Sequence, residues 1–148
     1  MEPGTQFTIL LAEDDENHVL IIQKAFDQIP GLTYEMKVIY DGETLLERLR
    51  LLTEPLPDLL LLDLKIPRAD GFEILKEIRA SHHLQHLPVV VFTSSSRASD
   101  VRKCYELGCN SYIVKPMKFE KFKEIMFHLY KYWFEINTLP NHAETFEN

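Results

Sequence analysis

The 148-residue sequence is poor in cysteine, glycine and cationic residues, and it has no long apolar run. Two cysteines, Cys104 and Cys109, are too few for a disulfide framework, so both read as reduced thiols. The five glycines (Gly4, Gly31, Gly42, Gly71, Gly108) build neither GxGxxG nor GxxxxGK[ST], which argues against flavin, dinucleotide and P-loop nucleotide binding. No apolar stretch approaches the roughly 18 residues that span a bilayer. The opening MEPGTQ has no basic region followed by an apolar core. A soluble, cytoplasmic protein with no membrane contact is expected. Sixteen Lys and Arg against 23 Asp and Glu leave a net charge of −7, which repels phosphate backbones and favours a protein partner over direct nucleic-acid binding. His82, His83 and His86 cluster, but no nearby Cys or acidic residue completes a zinc set, so they read as a solvated loop.

What the chain does have is alternation. Apolar residues make up 45% of it, enough to build the core of one domain. Phe7 to Ala12 is strand-like, and Val19, Ile22, Phe26 and Ile29 recur at helical spacing up to Pro30-Gly31. Tyr34 to Tyr40 alternates like an edge strand; Asp41 offers an N-cap to a stripe of Leu45, Leu46, Leu49 and Leu52 that ends near Pro55. Leu59 to Asp63 precedes a helix with Phe72, Leu75 and Ile78 on one face. Val89 to Thr93 precedes one through Val101, Tyr105 and Leu107, closed by Gly108. Ser111 to Val114 leads into a last helix from about Phe119 to Ile136. Five strand and helix pairs imply right-handed crossovers and an α/β fold: a doubly wound, five-stranded parallel sheet with helices on both faces. Residues 1–6 read as an N-terminal extension, 7–136 as the domain with an extended last helix, and 137–148 as a tail too short to hold a DNA-binding domain.

In such sheets the chemistry gathers outside the carboxyl ends of the strands. Those ends carry Glu13-Asp14-Asp15, Asp63, Thr93-Ser94 and Lys115-Pro116. Each residue alone has an ordinary use as a cap, a turn or a surface charge. Together the carboxylates would raise one another's pKa and destabilise the fold unless a cation sat among them. Oxygen ligands without Cys or His point to a hard divalent ion such as Mg2+. Thr93 and Lys115 can hold phosphate oxygens, and a carboxylate such as Asp63, at the end of the apolar DLLLLDLKIPRADG, can attack a phosphoryl group.

The EDD after the first strand, Asp63, Pro67 and Asp70-Gly71, Thr93, Tyr112 and Lys115-Pro116 resemble the receiver domain of two-component response regulators over about residues 7 to 130. The resemblance implies a flavodoxin-like sheet of strand order 2-1-3-4-5 and a phosphoacceptor role for Asp63. It further implies Mg2+ ligation by Glu13, Asp14, Asp63 and the backbone carbonyl of Lys65, with Thr93 and Lys115 contacting the phosphoryl group and Thr93 and Tyr112 forming a switch. Glu13 departs from the Asp of many receivers, and its longer arm suits a contact through water. The stretch YWFEINTLP at 132–140 and the LKIPRADG loop are similar to the stand-alone response regulators that partner cyanobacterial phytochromes, which implies a phytochrome-type sensor histidine kinase as phosphoryl donor.

The principal alternative is a magnesium-dependent aspartyl-phosphate phosphatase or phosphotransferase. Enzymes of that class resemble one another in a second Asp two residues after the nucleophile, where this chain has Lys65. The expectation is therefore a signalling protein and not an enzyme. A module that has lost phosphorylation fits poorly with a complete set of Glu13, Asp14, Asp63, Thr93 and Lys115. On the last helix, Phe119, Phe122, Met126, Leu129 and Trp133 are spaced to dock on the sheet. Phe127, Tyr130 and Phe134 fall on another face, expected to be covered by a homodimer partner or by a tail folded back with Leu139 and Phe146.

Overall fold

The register of the sheet brings the acidic strand ends together. A computed structural model describes residues 5–51 and 55–146. Strands and helices alternate as β1 (Gln6–Ala12), α1 (Glu16–Asp27), β2 (Thr33–Ile39), α2 (Gly42–Leu49), β3 (Leu59–Leu62), α3 (Gly71–Ala80), β4 (Val89–Thr93), α4 (Ala98–Glu106), β5 (Ser111–Val114) and α5 (Phe119–Tyr130). All the strand pairs are parallel and the order is β2-β1-β3-β4-β5. Ala12 pairs with Leu62 and Thr93 with Val114, so the residues that follow, Glu13, Asp63 and Lys115, emerge at one edge.

Alternating strand residues feed two cores. Ile9, Leu11, Leu59, Leu61, Val90 and Phe92 pack with Val19, Ile22 and Phe26 of α1 and Phe122, Met126 and Leu129 of α5. Leu10, Leu60, Leu62, Val89 and Val91 pack with residues of α2, α3 and α4, among them Leu45, Leu75 and Cys104. The four leucines of β3 are all fully buried. Each contributes roughly 1.5–3 kcal/mol of transfer free energy, which fixes β3 at the centre of the sheet. N-caps define the helix starts: Asp15 accepts from the N–H groups of Asn17 and His18, Asp41 from Thr44, and Asp70 from Glu73. Gly108, at φ +99°, closes α4.

Three expectations need correction. On α4 the buried residue is Cys104, which joins the core beside the partly covered Leu107, and Tyr105 is exposed. The α2 stripe ends at Leu49; Leu51 is exposed, and Leu52 lies outside the described residues.

The third concerns the last helix. After α5 the chain continues as a π-helical segment, Lys131–Ile136, and a 3-10 helix, Pro140–Phe146. Phe122, Met126, Leu129 and Tyr130 are buried within α5, and past its end the π turn, which holds an extra residue, carries the inward stripe to Phe134 and on to Leu139. Phe119, expected to dock, is exposed, and Trp133 is only partly covered. Tyr130 and Phe134, expected on an outward face, lie in the chain's own core, and Phe127 alone of the three stays exposed. Phe134 stacks on Phe7 with centroids 4.4 Å apart. The expected tail is folded back: Asn141 Nδ2 donates to the carbonyls of Leu56 and Pro57 and to Asp58 Oδ1, and His142 Nε2 lies 3.0 Å from the same Asp58 oxygen. Side chains after Ala143, Phe146 included, lie outside the described part.

Candidate phosphorylation site

The backbone ladder runs one step past the strands and sets the site residues rigidly. Glu13 N–H donates to the Ile39 carbonyl at 3.0 Å, Asp63 N–H to Ala12 at 3.0 Å, and Lys115 N–H to Thr93 at 2.8 Å. Carboxylate oxygens of Glu13, Asp14 and Asp63 lie within 4.8 Å of one another, the metal-suited group found among the described residues. Glu13 and Asp63 are buried and Asp14 is exposed. The histidines of the 82–86 loop are exposed and join no such group among those residues.

Lys115 spans the acids. Its Nζ lies 2.8 Å from Asp63 Oδ2 and also donates to Glu13 Oε1. The second Glu13 oxygen accepts from Asp15 N–H, and Asp63 Oδ1 accepts from Lys65 N–H at 3.1 Å. Burial pushes the Asp63 carboxyl up, but the hydrogen bond and charge of Lys115, with the Lys65 N–H, outweigh it and hold the group below its ordinary value. For Glu13 the balance reverses: burial prevails over Lys115, the negative charge of Asp63 adds to it, and the carboxyl is raised. Of the two, Asp63 holds its carboxylate form more readily, which suits it to attack an electrophile.

Thr93 is fully buried, and its Oγ1 is the buried side-chain polar atom without a hydrogen-bond partner among the described residues. It lies close enough to the Asp63 carboxylate to help hold that group below its ordinary value. A phosphoryl oxygen on the neighbouring strand end would satisfy the hydroxyl. The three carboxylates, a hard oxygen set with no sulfur or nitrogen, fit a divalent ion such as Mg2+. Tyr112 is half-buried, and its hydroxyl donates to the Ser95 carbonyl at 2.8 Å, tying β5 to the loop that opens α4. Lys65 is exposed; it touches the site through its backbone. The loop after it packs tightly, since a Cβ on Gly71 would come within 2.6 Å of Leu64 and one on Gly42 within 2.6 Å of Ala69.

All five strand-end residues expected at the site converge there. Sequence reasoning left two neighbours without an assigned role. Asp15, read with the acidic run, serves as the α1 cap, and His18, three residues on, puts Nδ1 3.0 Å from Lys115 Nζ. The available signal was that spacing, which turns a first-turn side chain back over the strand ends.

Residues 9–127 match the model of the response regulator receiver domain. The chain belongs to this family. As a receiver it is a signalling domain, and acidic-site binding of a divalent metal and partnership with histidine kinases are properties of the family. Along most of its length this receiver is similar to FilR2 of Methanothrix harundinacea, which carries the name of a methanogenesis regulatory protein, at 38% identity over 97% of this chain and 94% of that one. It is also similar to the response regulator Rcp1 of Synechocystis sp., at 33% identity over 89% of this chain and 92% of that one. Among solved structures it resembles the phosphorylated cyanobacterial phytochrome response regulator RcpA, with a TM-score of 0.86 at 31% identity over 92% of this chain and 99% of that one. No helix among the described residues is long and apolar enough to cross a membrane.

Proposed function

We propose that this receiver takes a phosphoryl group onto Asp63 from the phosphohistidine of a sensor histidine kinase and signals through the conformational change that follows. The observation that carries the reading is the ionised Asp63 held against Lys115 at the end of β3. A carboxylate oxygen of Asp63 forms a bond to phosphorus as the P–N bond breaks, and its electron pair returns to the donor imidazole. Glu13, Asp14, Asp63 and the Lys65 carbonyl would hold Mg2+. When bound, the ion supplies positive charge to the phosphoryl oxygens and offsets the carboxylates. A structure of Rcp1 described as its Mn(2+)-bound form, at 32% identity, supports a divalent ion here. Lys115 and Thr93 then contact the new phosphoryl oxygens. Drawing Thr93 inward frees space beside Tyr112, and the surface of α4, β5 and α5 shifts.

The donor we favour is a phytochrome-type kinase, on the likeness to RcpA and Rcp1. The higher identity to FilR2 favours a second reading, a kinase that does not sense light. Phosphoryl transfer from a panel holding both kinase types, with and without Mg2+, separates the two. Label found by mass spectrometry on Asp63, and lost in Asp63→Asn, is expected; label on another residue overturns the phosphoacceptor reading. The phosphatase alternative has its acid-base position filled by Lys65, whose side chain is exposed. A homodimer through the last helix is retained as a proposal on a smaller surface, the exposed Phe127, Tyr132 and Ile136.

A further inference from the structure

His18 is the side chain at the site that phosphoryl chemistry leaves without a role. It stands in the first turn of α1, and its ring is tilted against Phe122 of α5 with centroids 5.5 Å apart. Nδ1 lies 3.0 Å from Lys115 Nζ, and Nε2 faces Asp15 Oδ2 at 3.7 Å. An ammonium has three N–H donors and no lone pair, so the Lys115 contact is a hydrogen bond only when Nδ1 is bare. The ring proton then sits on Nε2, on the side of Asp15, while Nδ1, also 3.7 Å from Glu13 Oε1, faces the ammonium. Lys115 is nearly fully buried, and Glu13, Asp63 and His18 together take its three protons.

The three acceptors differ in what phosphorylation does to them. Asp63 loses its free carboxylate when the acyl phosphate forms. Glu13 is among the carboxylates suited to the metal. His18, seated against Phe122, is the acceptor that phosphoryl transfer leaves chemically unchanged. Without it, one N–H of a buried ammonium would be left facing aromatic surface, with the Phe92 ring 5.8 Å away, and the lysine would settle more closely onto the carboxylates that must react.

We propose that His18 is a positioning residue of this site: its Nδ1 holds the Lys115 ammonium in place while a carboxylate oxygen of Asp63 forms its bond to phosphorus. The proposal rests on the reading of Asp63 as phosphoacceptor. The test compares wild type with His18→Asn, whose Oδ1 can replace Nδ1 as acceptor, and His18→Phe, which keeps a ring against Phe122 without one; His18→Ala replaces the latter if it does not fold. Two readouts are taken. The first is the NMR signal of the Lys115 ammonium without phosphoryl donor, expected to be protected in wild type and His18→Asn and lost in His18→Phe. The second is the rate of phosphorylation by acetyl phosphate with Mg2+, expected to fall about tenfold in His18→Phe, as loss of a hydrogen bond to a charged group implies, and to return to within about threefold of wild type in His18→Asn. An unchanged signal or an unchanged rate in His18→Phe overturns the proposal, as does an Asn variant no better than Phe. If wild type itself takes up no phosphoryl group, the phosphoacceptor reading fails, and the ammonium signal alone decides whether His18 positions Lys115.

Discussion

Lys115 Nζ lies 2.8 Å from Asp63 Oδ2, although 52 positions separate the two residues in the chain. The parallel register of β3, β4 and β5 makes the contact, and burial gives it strength, since both side chains are more than nine-tenths covered. Lys115→Met leaves Asp63 and Glu13 buried without their shared counter-charge. Stability is expected to fall by about 3 kcal/mol in urea titrations without metal, the cost of breaking a buried pair on one side. Added Mg2+ should recover more of it in the variant than in wild type.

The two buried carboxylates should respond to pH with opposite signs. Asp63 has a folded pKa below 3.8, so its contribution is present above that value and is lost as pH falls through the folded pKa. Glu13 has a folded pKa above 4.5, so its contribution is complete below that value and is lost as pH rises through the folded pKa. Urea unfolding in metal-free buffers checks both. Asp63→Asn should weaken the acid-side loss, and Glu13→Gln should flatten the decline above pH 4.5.

Phe134→Ala and Phe127→Ala should part company. Phe134 is buried and stacks on Phe7, so its loss is expected to cost about 3–5 kcal/mol. Phe127 is 42% exposed, and its replacement should change monomer stability by less than about 1 kcal/mol. If the helix does pair two copies, Phe127→Ser shifts the sedimentation of the wild-type dimer toward 17.4 kDa; a wild type that is monomeric at all concentrations removes the dimer.

Tyr112→Phe deletes the hydrogen bond to the Ser95 carbonyl and nothing else in the core. A loss of about 1 kcal/mol is expected by thermal unfolding. Under the proposed switch, the variant should also show smaller NMR shifts on α4 when a phosphoryl mimic binds. Equal shifts in variant and wild type would remove Tyr112 from the switch.

Arg79 shows how much of the frame hangs on long-range geometry. Its guanidinium donates to the carbonyls of Gly108, Gln85 and Leu87 and to Asn110 Oδ1, sewing α3 to the loops that lead into β4 and β5. Arg79→Lys keeps the charge but cannot fork, and it is expected to lower stability by about 2 kcal/mol in the same urea assay.

The sequence by itself determined the alternation of elements, the parallel sheet, and the residues that stand at each strand end, because these follow from local signals: apolar runs of strand length, helical periods, and the cap Asp41. It also marked Asp63, since a carboxylate directly after four leucines has no local explanation. Only the tertiary structure decided which ammonium protons His18, Glu13 and Asp63 take, that Tyr112 reaches Ser95, and that Tyr130 and Phe134 face inward. The reason is one of range. Periodicity assumes a constant helical turn, and a π segment at Lys131–Ile136 shifts the buried stripe in a way that depends on what the helix meets, here Phe7. The return of Asn141 and His142 to Asp58 has the same character: a buried carboxylate more than 80 positions away supplies the acceptor, and no window of sequence contains both.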